Sequence, residues 1–317
     1  MNYKICKLKF QTEVHFGRNF LSDSEYSCYA DTLFSALCHE YIKLNGTSKL
    51  NQFVEQFRQN QILISDTFPY IGEQFWMPKP FTMPKEMELH NLKDFKKINF
   101  IPVDDLHSYF HGILDSTKLI KTFCVLGDSA VHVKASLHGL EEANPYWVGG
   151  YRFAENNGLY ILIGYENQEL YDELKDILVS LSYTGIGGKI TSGYGTFEVE
   201  FQEVPKNWLS HLCIGDNQDI NATYMTLSLS LPKNDELDKS LNNAHYQVVR
   251  RGGFVSEANF YESNPNYGSE QRKQDLYAFQ AGSCFGNTFE GDIYDVSNQG
   301  PHPVYRYAKP MFWRLSL

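Results

Sequence analysis

Hydrophobic positions in the first 65 residues recur with two different periods. One segment alternates polar and apolar residues, as a strand does, and the next repeats apolar residues every three or four positions, as an amphipathic helix does. The predicted elements are a strand over 4–16, helices over 30–42 and 50–59, and a strand over 61–65. Asp31 is expected to cap the first helix at its N-terminus, and Gly46 is expected to end it.

The regular pattern stops between Pro69 and Pro145 and then returns. This segment contains several prolines and isolated lysines, with one β-ribbon predicted around 123–137. Because a long irregular segment is usually functional or a protruding arm, we interpret it as an insertion with few hydrophobic contacts of its own. The elements predicted after it are paired strands over 146–154 and 158–165, a helix over 168–183 between a cap at Asn167 and a stop at Gly185, and a strand over 195–204.

The order of these elements predicts the fold class. Strand, helix, strand, insertion, strand, helix and strand give the split βαβ arrangement of ferredoxin-like, or RRM-like, domains. A weaker alternation follows, with strands predicted over 224–231, 245–251, 274–281 and 310–317 and a helix over 235–242. We therefore predict an α+β protein of two ferredoxin-like domains: 1–204, with a long insertion at about 69–145, and a degenerate second domain over 205–317.

The net charge of −10 argues against a free nucleic-acid binder, which is usually basic. The 42% of hydrophobic residues in a chain of 317 is nevertheless enough for ordinary globular cores. The charge is unevenly distributed: 155–182 is acidic, which predicts a solvated or partner-facing helix. The first 20 residues are basic, through Lys4, Lys7, Lys9 and Arg18. A protein that touches a few nucleotides and otherwise packs on other proteins needs only such a local positive strip.

No segment predicts export, a membrane span, a metal or a catalytic centre. No run approaches the roughly 18 apolar residues that cross a bilayer, and the first ten residues alternate instead of forming a signal-peptide core, so we expect a cytoplasmic protein. The six cysteines include no C-x-x-C pair, which favours buried free thiols over disulfides or zinc. The histidines lack metal-ligand spacing and no G-x-S-x-G motif is present, so we expect no metal and no cofactor.

The strongest binding signal is the glycine-rich segment YTGIGGKITSGYGTF, between a predicted helix and a predicted strand. Glycine permits positive φ and lets backbone N–H groups approach a ligand, which suits phosphate contact. A Walker loop is excluded, because its motif is absent and the helix precedes the loop. A helix C-cap alone would explain only Gly185. The candidate ligand-binding residues are Gly185, Ile186, Gly187, Gly188, Lys189, Ser192, Gly193, Tyr194 and Gly195.

Two other segments are candidates for phosphate contact. In VVRRGGFVSE a strand ends in adjacent arginines, and only one of them is expected to meet a given phosphate, because neighbours on a strand point to opposite faces; an edge strand with solubilising charge is the alternative. The loop after the first strand lies near the N-terminus of the first predicted helix, whose dipole suits phosphate. The candidates are Arg250, Arg251, Gly252, Gly253 and Phe254, and His15, Gly17 and Arg18. Because His15 has no second proton-transfer partner, a structural role is favoured over catalysis.

Three segments stand out together: the opening strand through VHFG to ADTLFSALCHEY, the segment GIGGKITSGYGTF, and the ending HPVYRYAKPMFWRL. They resemble the RAMP superfamily of CRISPR proteins, and within it the fourth subunit of the type III-A Csm effector complex. The resemblance covers nearly the whole chain. It implies two ferredoxin-like domains and a β-hairpin thumb that extends from the first of them. The insertion is where this thumb should lie, which implies that Lys134 contacts RNA.

The resemblance also implies the function. Such proteins bind the 5′ tag of crRNA in antiviral interference, and their thumb displaces a nucleotide at the tag–spacer junction, where target RNA lies. They contact the large polymerase-like subunit and a RAMP backbone subunit, and acidic faces docked on basic partners would account for the net charge. The alternative is a metal-independent guide-processing endoribonuclease of the same superfamily, with His15 as general base. A free RRM-like RNA-binding protein is a third possibility, but the RNP aromatic signature of such proteins is missing from this sequence.

Overall fold

The computed structural model describes residues 1–17, 20–82, 95–136, 144–213, 222–255, 272–298 and 302–315. The helices are α1 Ala30–Asn45, α2 Leu50–Arg58, α3 Leu106–Phe110, α4 Ser116–Phe123, α5 Gln168–Thr184, α6 Lys206–Leu209 and α7 Leu237–Ser240. The strands of the first 204 residues are β1 Asn2–Phe10, β2 Ile62–Ile64, β3 Phe68–Ile71, β4 Gln74–Pro78, β5 Phe100–Pro102, β6 Gly127–Ser136, β7 Asn144–Phe153, β8 Asn157–Tyr165 and β9 Phe197–Glu203. The later strands are β10 Leu212–Cys213, β11 Thr223–Thr226, β12 Val248–Arg251, β13 Leu276–Phe279, β14 Cys284–Phe285, β15 Asp292–Asp295, β16 Tyr305–Ala308 and β17 Phe312–Leu315.

An antiparallel sheet in the order β5-β4-β3-β8-β1-β9 organises the first half, with β2 also paired to β8. Helix α1 connects β1 to β2 through α2, and α5 connects β8 to β9, which is the predicted split βαβ order. Strand β1 ends at Phe10, shorter than predicted, and Val14 and Phe16 form only isolated bridges, to Tyr151 and Glu25. The mixed helix-and-sheet class predicted from the sequence is confirmed.

This sheet is covered on both faces. Cys6 and Leu8 face a core formed with α1, α2 and α5. Tyr3 and Ile5 face a second core, shared with residues from the insertion and from the C-terminal half. Because successive strand residues point to opposite faces, a strand buried on both sides reads as apolar at every position.

The insertion is more compact than predicted. Its first strands, β3 to β5, extend the central sheet, and its side chains fill the second core. Trp76, Ile101 and Tyr109 are almost fully buried there. The prediction that this segment makes few hydrophobic contacts of its own is therefore wrong, because its short strands contain prolines or end at them and still bring their apolar residues to the core.

A long hairpin of β6 and β7 closes the insertion, in the register Gly127↔Phe153 to Ser136↔Asn144. The predicted ribbon therefore exists, although residue 123 ends α4 and residue 137 lies outside the described residues. The two strands predicted to pair with each other after the insertion are β7 and β8. That pairing is wrong, since β7 pairs with β6 whereas β8 pairs with β1, β2 and β3.

The ends of the two long helices follow the sequence signals with one exception. Asn167 Oδ1 accepts the Leu170 N–H at 3.1 Å, and Gly46 and Gly185 follow α1 and α5 in left-handed backbone as predicted. Asp31 does not cap α1. The helix begins at Ala30, whose N–H donates to Asp66 Oδ1 at 2.7 Å, and Asp31 lies inside the first turn, where its carboxylate binds arginines from the other end of the chain.

The C-terminal half contains a sheet in the order β10-β17-β11-β14 and the ribbons β12–β13 and β15–β16. Strands β12, β13 and β17 and helix α7 lie within the predicted segments but are shorter, and β11 overlaps its predicted segment and begins one residue before it. The β15–β16 ribbon was not predicted. Its Tyr307 is fully buried and packs 5.5 Å from the Phe34 ring of α1, measured between ring centroids.

Buried polar contacts join the two halves. Asp66 Oδ1 accepts the N–H groups of Ala30 and Leu229, at 2.7 and 2.8 Å. Lys309, fully buried, donates from Nζ to the Arg58 carbonyl at 2.9 Å. The predicted domain boundary near residue 204 stays a prediction. Residues on both sides of it, such as Ile5 and Trp313, belong to the same second core.

The basic opening strand is not a free positive strip. Lys4, Lys7 and Lys9 form ion pairs with Glu203, Glu73 and Glu200. The expected local positive surface therefore has to lie elsewhere.

Four of the predicted free thiols are buried, those of Cys6, Cys28, Cys38 and Cys284, whereas Cys124 is exposed. Within the described ranges, no helix is long and apolar enough to span a membrane.

Candidate nucleic-acid interface

The glycine-rich loop between α5 and β9 folds tightly against the first loop of the chain. Gly185, Gly187, Gly193 and Gly195 have φ of 88°, 102°, 84° and 78°, and Lys189 is also left-handed at 61°. A β-carbon on Gly195 would lie 2.1 Å from the Ile186 carbonyl oxygen. The glycines are thus required by positive φ and by close packing of backbone on backbone.

Most N–H groups of this loop are already used inside the protein. The Gly188 N–H donates to the His15 carbonyl and the Gly195 N–H to the Glu13 carbonyl, both at 2.8 Å. Residues 185, 186, 192, 193 and 194 also donate to backbone carbonyls. The expectation that backbone N–H groups supply most of the phosphate contact is therefore wrong for these positions. Contacts with a ligand here fall to side chains, above all Lys189 and Ser192.

His15 holds the loop in place. Its side chain is 6% exposed, and Nδ1 donates to the Gly149 carbonyl at 2.7 Å. A β-carbon on Gly188 would lie 2.7 Å from the imidazole, and one on Gly17 would lie 3.2 Å from Nε2. The imidazole thus fills the space that these glycines leave, which is the structural role that the sequence favoured over catalysis.

A surface groove of about 430 Å³ separates the glycine-rich loop from the β6–β7 hairpin. It is lined by Glu13, His132, Val133, Lys134, Ser192, Gly193 and Tyr194. Lys134 Nζ lies 4.5 Å from the centroid of the Tyr194 ring, and Lys189 Nζ lies 5.2 Å from that of Tyr146. Each ammonium group lies over an aromatic ring of the facing segment, and of the two lysines only Lys134 is among the residues that line the groove.

The only carboxylate lining this groove within the described residues, Glu13, is paired. Its Oε2 lies 2.7 Å from His132 Nε2. Burial raises the pKa of Tyr194, and the Glu13 charge adds to this, so that the phenol stays neutral. The groove therefore presents the Lys134 cation, two hydroxyl groups and the Tyr194 ring, and the Lys189–Tyr146 pair lies at the same junction of loop and hairpin, a combination suited to single-stranded nucleic acid.

The hairpin has two different faces, because directly paired residues share a side. Lys134 is paired with Tyr146, and both lie on the side of the hairpin that meets the glycine-rich loop. Val133 is paired with Trp147, and these two residues are 64% and 58% exposed; Val133 also borders the groove, whereas Trp147 does not line it. The sequence prediction included Lys134 but missed Tyr146, His132 and Trp147, since only the strand register shows which residues share a face.

The arginine turn lies on a separate ribbon, β12–β13, and divides as the sequence predicted. Arg250 is exposed and paired with Asp275 at 2.7 Å. Arg251 turns inward to Asp31, at 2.8 Å, and lies 4.5 Å from the Tyr29 ring centroid. Gly252 and Gly253 follow, and Phe254 is 49% exposed with the Arg272 guanidinium 5.2 Å from its centroid.

The structure thus groups His15, Gly17, Lys134 and the glycine-rich loop in one place, and residues 250–254 in another. Arg18 lies outside the described residues. Lys273 and Arg306, close to Arg251, were missed, and no local sequence signal marks them. Among the described side chains, no group of three His, Cys, Asp or Glu is placed to hold a metal ion.

The fold is shared with solved CRISPR proteins. A chain of the Csm3–Csm4 subcomplex of a type III-A CRISPR-Cas interference complex superposes with a TM-score of 0.67, at 21% identity, over the whole of both chains. A chain of a Csm1–Csm4 cassette in complex with AMPPNP superposes with a TM-score of 0.59, at 17% identity, covering 100% of this chain and 99% of that one. The fold is therefore of the class found in CRISPR effector subunits of the RAMP type.

The sequence relatives identify the family. A model of the CRISPR Csm4 C-terminal domain matches residues 220–315. The CRISPR system Cms protein Csm4 of Mycobacterium tuberculosis is 36% identical, over 99% of this chain and 98% of the relative. Its namesake in Streptococcus thermophilus is 31% identical over the full length of both. The chain belongs to the Csm4 family, subunits of the type III-A CRISPR Csm complex, which confirms the resemblance seen in the sequence.

Proposed function

We propose that the chain is a non-catalytic subunit that holds the 5′ tag of crRNA and links the large polymerase-like subunit to a RAMP backbone subunit. The observation that carries the RNA assignment is the junction of the glycine-rich loop and the hairpin, where Lys134 lines the groove and Lys189 of the loop lies over Tyr146 of the hairpin. A phosphate between two ammonium groups gains charge-assisted hydrogen bonds from both sides.

The loop and the hairpin have different tasks in this proposal. The loop supplies a rigid wall, since its backbone is bonded internally and its exposed tip, residues 190–193, carries Ser192. The hairpin is the proposed thumb, with Trp147 exposed outside the groove. An exposed indole on a two-stranded ribbon suits stacking against a base at the tag–spacer junction, next to target RNA.

The proposed partners follow from the family. Similar chains were solved with Csm3 in one complex and with Csm1 in another. On this chain, the acidic surface of α5, with Glu169, Asp172 and Asp176 exposed, is a surface suited to a basic partner. A cytoplasmic place of action is part of the same proposal.

The RNA assignment is tested with the double variant Lys134→Gln, Lys189→Gln in the assembled Csm complex. We expect the variant complex to retain about a tenth of the guide RNA, with its 5′ end newly open to nuclease, because both cations are lost. The matched control is Lys49→Gln, Lys206→Gln, which neutralises two exposed lysines elsewhere. Unchanged guide content and unchanged 5′ protection in the first variant would contradict the assignment.

The non-catalytic role is tested by incubating the complex with labelled repeat RNA without added metal. The buried position of His15 and its bond to the Gly149 carbonyl predict no cleavage. Cleavage by the wild type that disappears in His15→Asn would favour the endoribonuclease alternative. Asparagine is chosen because its Nδ2 can still donate to that carbonyl, and a thermal melt checks that the variant is folded.

A further inference from the structure

A cluster of cations surrounds one carboxylate at the first turn of α1. Asp31 accepts from Arg251 Nε and Nη2, at 2.9 and 2.8 Å, and from Arg306 Nη1 at 2.9 Å. Lys273 joins them, because its N–H donates to the Gly253 carbonyl at 2.9 Å, directly beyond the arginine turn. These four residues, Asp31, Arg251, Arg306 and Lys273, form what we call the α1 cation cluster.

The cluster carries more positive than negative charge. Arg306 is 4% exposed, and its positive charge balances the negative charge of Asp31. Arg251 shares the same carboxylate, and Lys273 has no ion-pair partner among the described residues. Burial raises the pKa of the neighbouring Asp66 to about 7, so that this carboxyl is only partly ionised near neutral pH. A surplus of positive charge at this place is unexpected in a chain of net charge −10.

Two of these cations reach the surface. The Arg251 side chain is 23% exposed, and Lys273 is half-buried. Burial lowers the pKa of Lys273, and the positive charge of Arg306 lowers it further, so the ammonium group is held in an unfavourable environment. A partly desolvated cation without a counter-ion is destabilising, and a bound anion would relieve it.

We propose that Lys273 and the exposed edge of Arg251 bind one phosphate group of the guide RNA, as a second contact separate from the groove. This proposal rests on the proposed function and assigns a site within it. Next to the two cations, a β-carbon on Gly253 would meet no described atom within 4 Å, so the turn is open at this position. Phe254, 49% exposed, supplies a ring for its base, and this pairing of cation and aromatic favours RNA over a protein carboxylate.

The test compares Lys273→Gln, Lys273→Arg and the exposed control Lys49→Gln. Each full-length chain is titrated with a fluorescein-labelled single-stranded RNA carrying the repeat-derived 5′ tag, over a series of salt concentrations. We expect Lys273→Gln to weaken binding about fivefold and to reduce the slope of log K against log salt by about 0.7, the loss of one phosphate contact on a single strand. Lys273→Arg and Lys49→Gln should bind as the wild type does.

Three results would overturn the proposal. The first is a Lys273→Gln variant with unchanged affinity and salt slope. The second is a wild-type melting temperature that rises when inorganic phosphate is added, together with an RNA affinity that Lys273→Gln does not change. This result would indicate a binding site for a small free anion. The third is normal RNA binding with loss of the large subunit from the purified complex, which would indicate a protein carboxylate. If the Lys134→Gln, Lys189→Gln variant keeps its RNA while Lys273→Gln weakens RNA binding, the groove assignment is wrong and the assignment of Lys273 stands.

Discussion

The glycine-rich loop and the α1 cation cluster are built in opposite ways. The loop is local: eleven consecutive residues, 185–195, supply its positive φ values, its close packing and its internal hydrogen bonds. The cluster is assembled from residues far apart in the chain, since Arg251 and Arg306 lie 220 and 275 positions from Asp31. The first depends on the absence of side chains, and the second on buried charges.

This difference decides how each region responds to change. In the loop, an added methyl group meets a backbone carbonyl that has nowhere to move. In the cluster, removal of one charge leaves others buried without compensation. The two regions should therefore fail by steric strain and by electrostatic imbalance, respectively, and the predictions below separate these causes.

The largest effect is expected from Asp31→Ala. It leaves the guanidinium groups of Arg251 and Arg306 without their shared carboxylate, which should lower the free energy of unfolding by about 3–5 kcal/mol. Urea denaturation measures this, with Asp238→Ala, an exposed aspartate, as the control. Equal midpoints for Asp31→Ala and the wild type would show that the cluster is not coupled to stability.

A smaller effect is expected in the loop from Gly195→Ala, compared with Gly193→Ala. Both glycines have positive φ, 78° and 84°, but the new β-carbon lies 2.1 Å from the Ile186 carbonyl in the first and meets nothing within 4 Å in the second. We expect about 2–4 kcal/mol of destabilisation for Gly195→Ala and about 1 kcal/mol for Gly193→Ala. Similar losses in the two variants, measured by thermal melts, would refute the close-packing account.

The smallest effect concerns Asp66, beside the cluster. Because its folded pKa is raised from 3.8 to about 7, the folded state holds the proton more tightly, and stability falls as pH rises from about 4 to 7. Asp66→Asn keeps an oxygen acceptor for Ala30 and Leu229 but cannot ionise. We expect its unfolding free energy to change with pH less than that of the wild type, by on the order of 2 kcal/mol over this range. Parallel pH profiles would contradict the assignment.

The sequence predicted what depends on local pattern. The split βαβ order, α1, α5 and the position of the glycine-rich loop follow from periodicity and from glycine spacing. Most of the free N–H groups expected in the loop are used within the protein, some by bonds to nearby carbonyls and two by bonds to the carbonyls of Glu13 and His15, far away in the sequence. Lys273 is one lysine among many until the fold places it beside Arg251, so no local signal could select it.

The position of β1 has a consequence for how the chain is made. Strand β1 becomes an inner strand of the central sheet, paired with β8 at 157–165 and with β9 at 197–203, which follow it far along the chain. About 150 residues must therefore be synthesised before β1 can gain its first partner. During synthesis the apolar residues of β1 stay uncovered, which makes this segment a natural substrate for a chaperone.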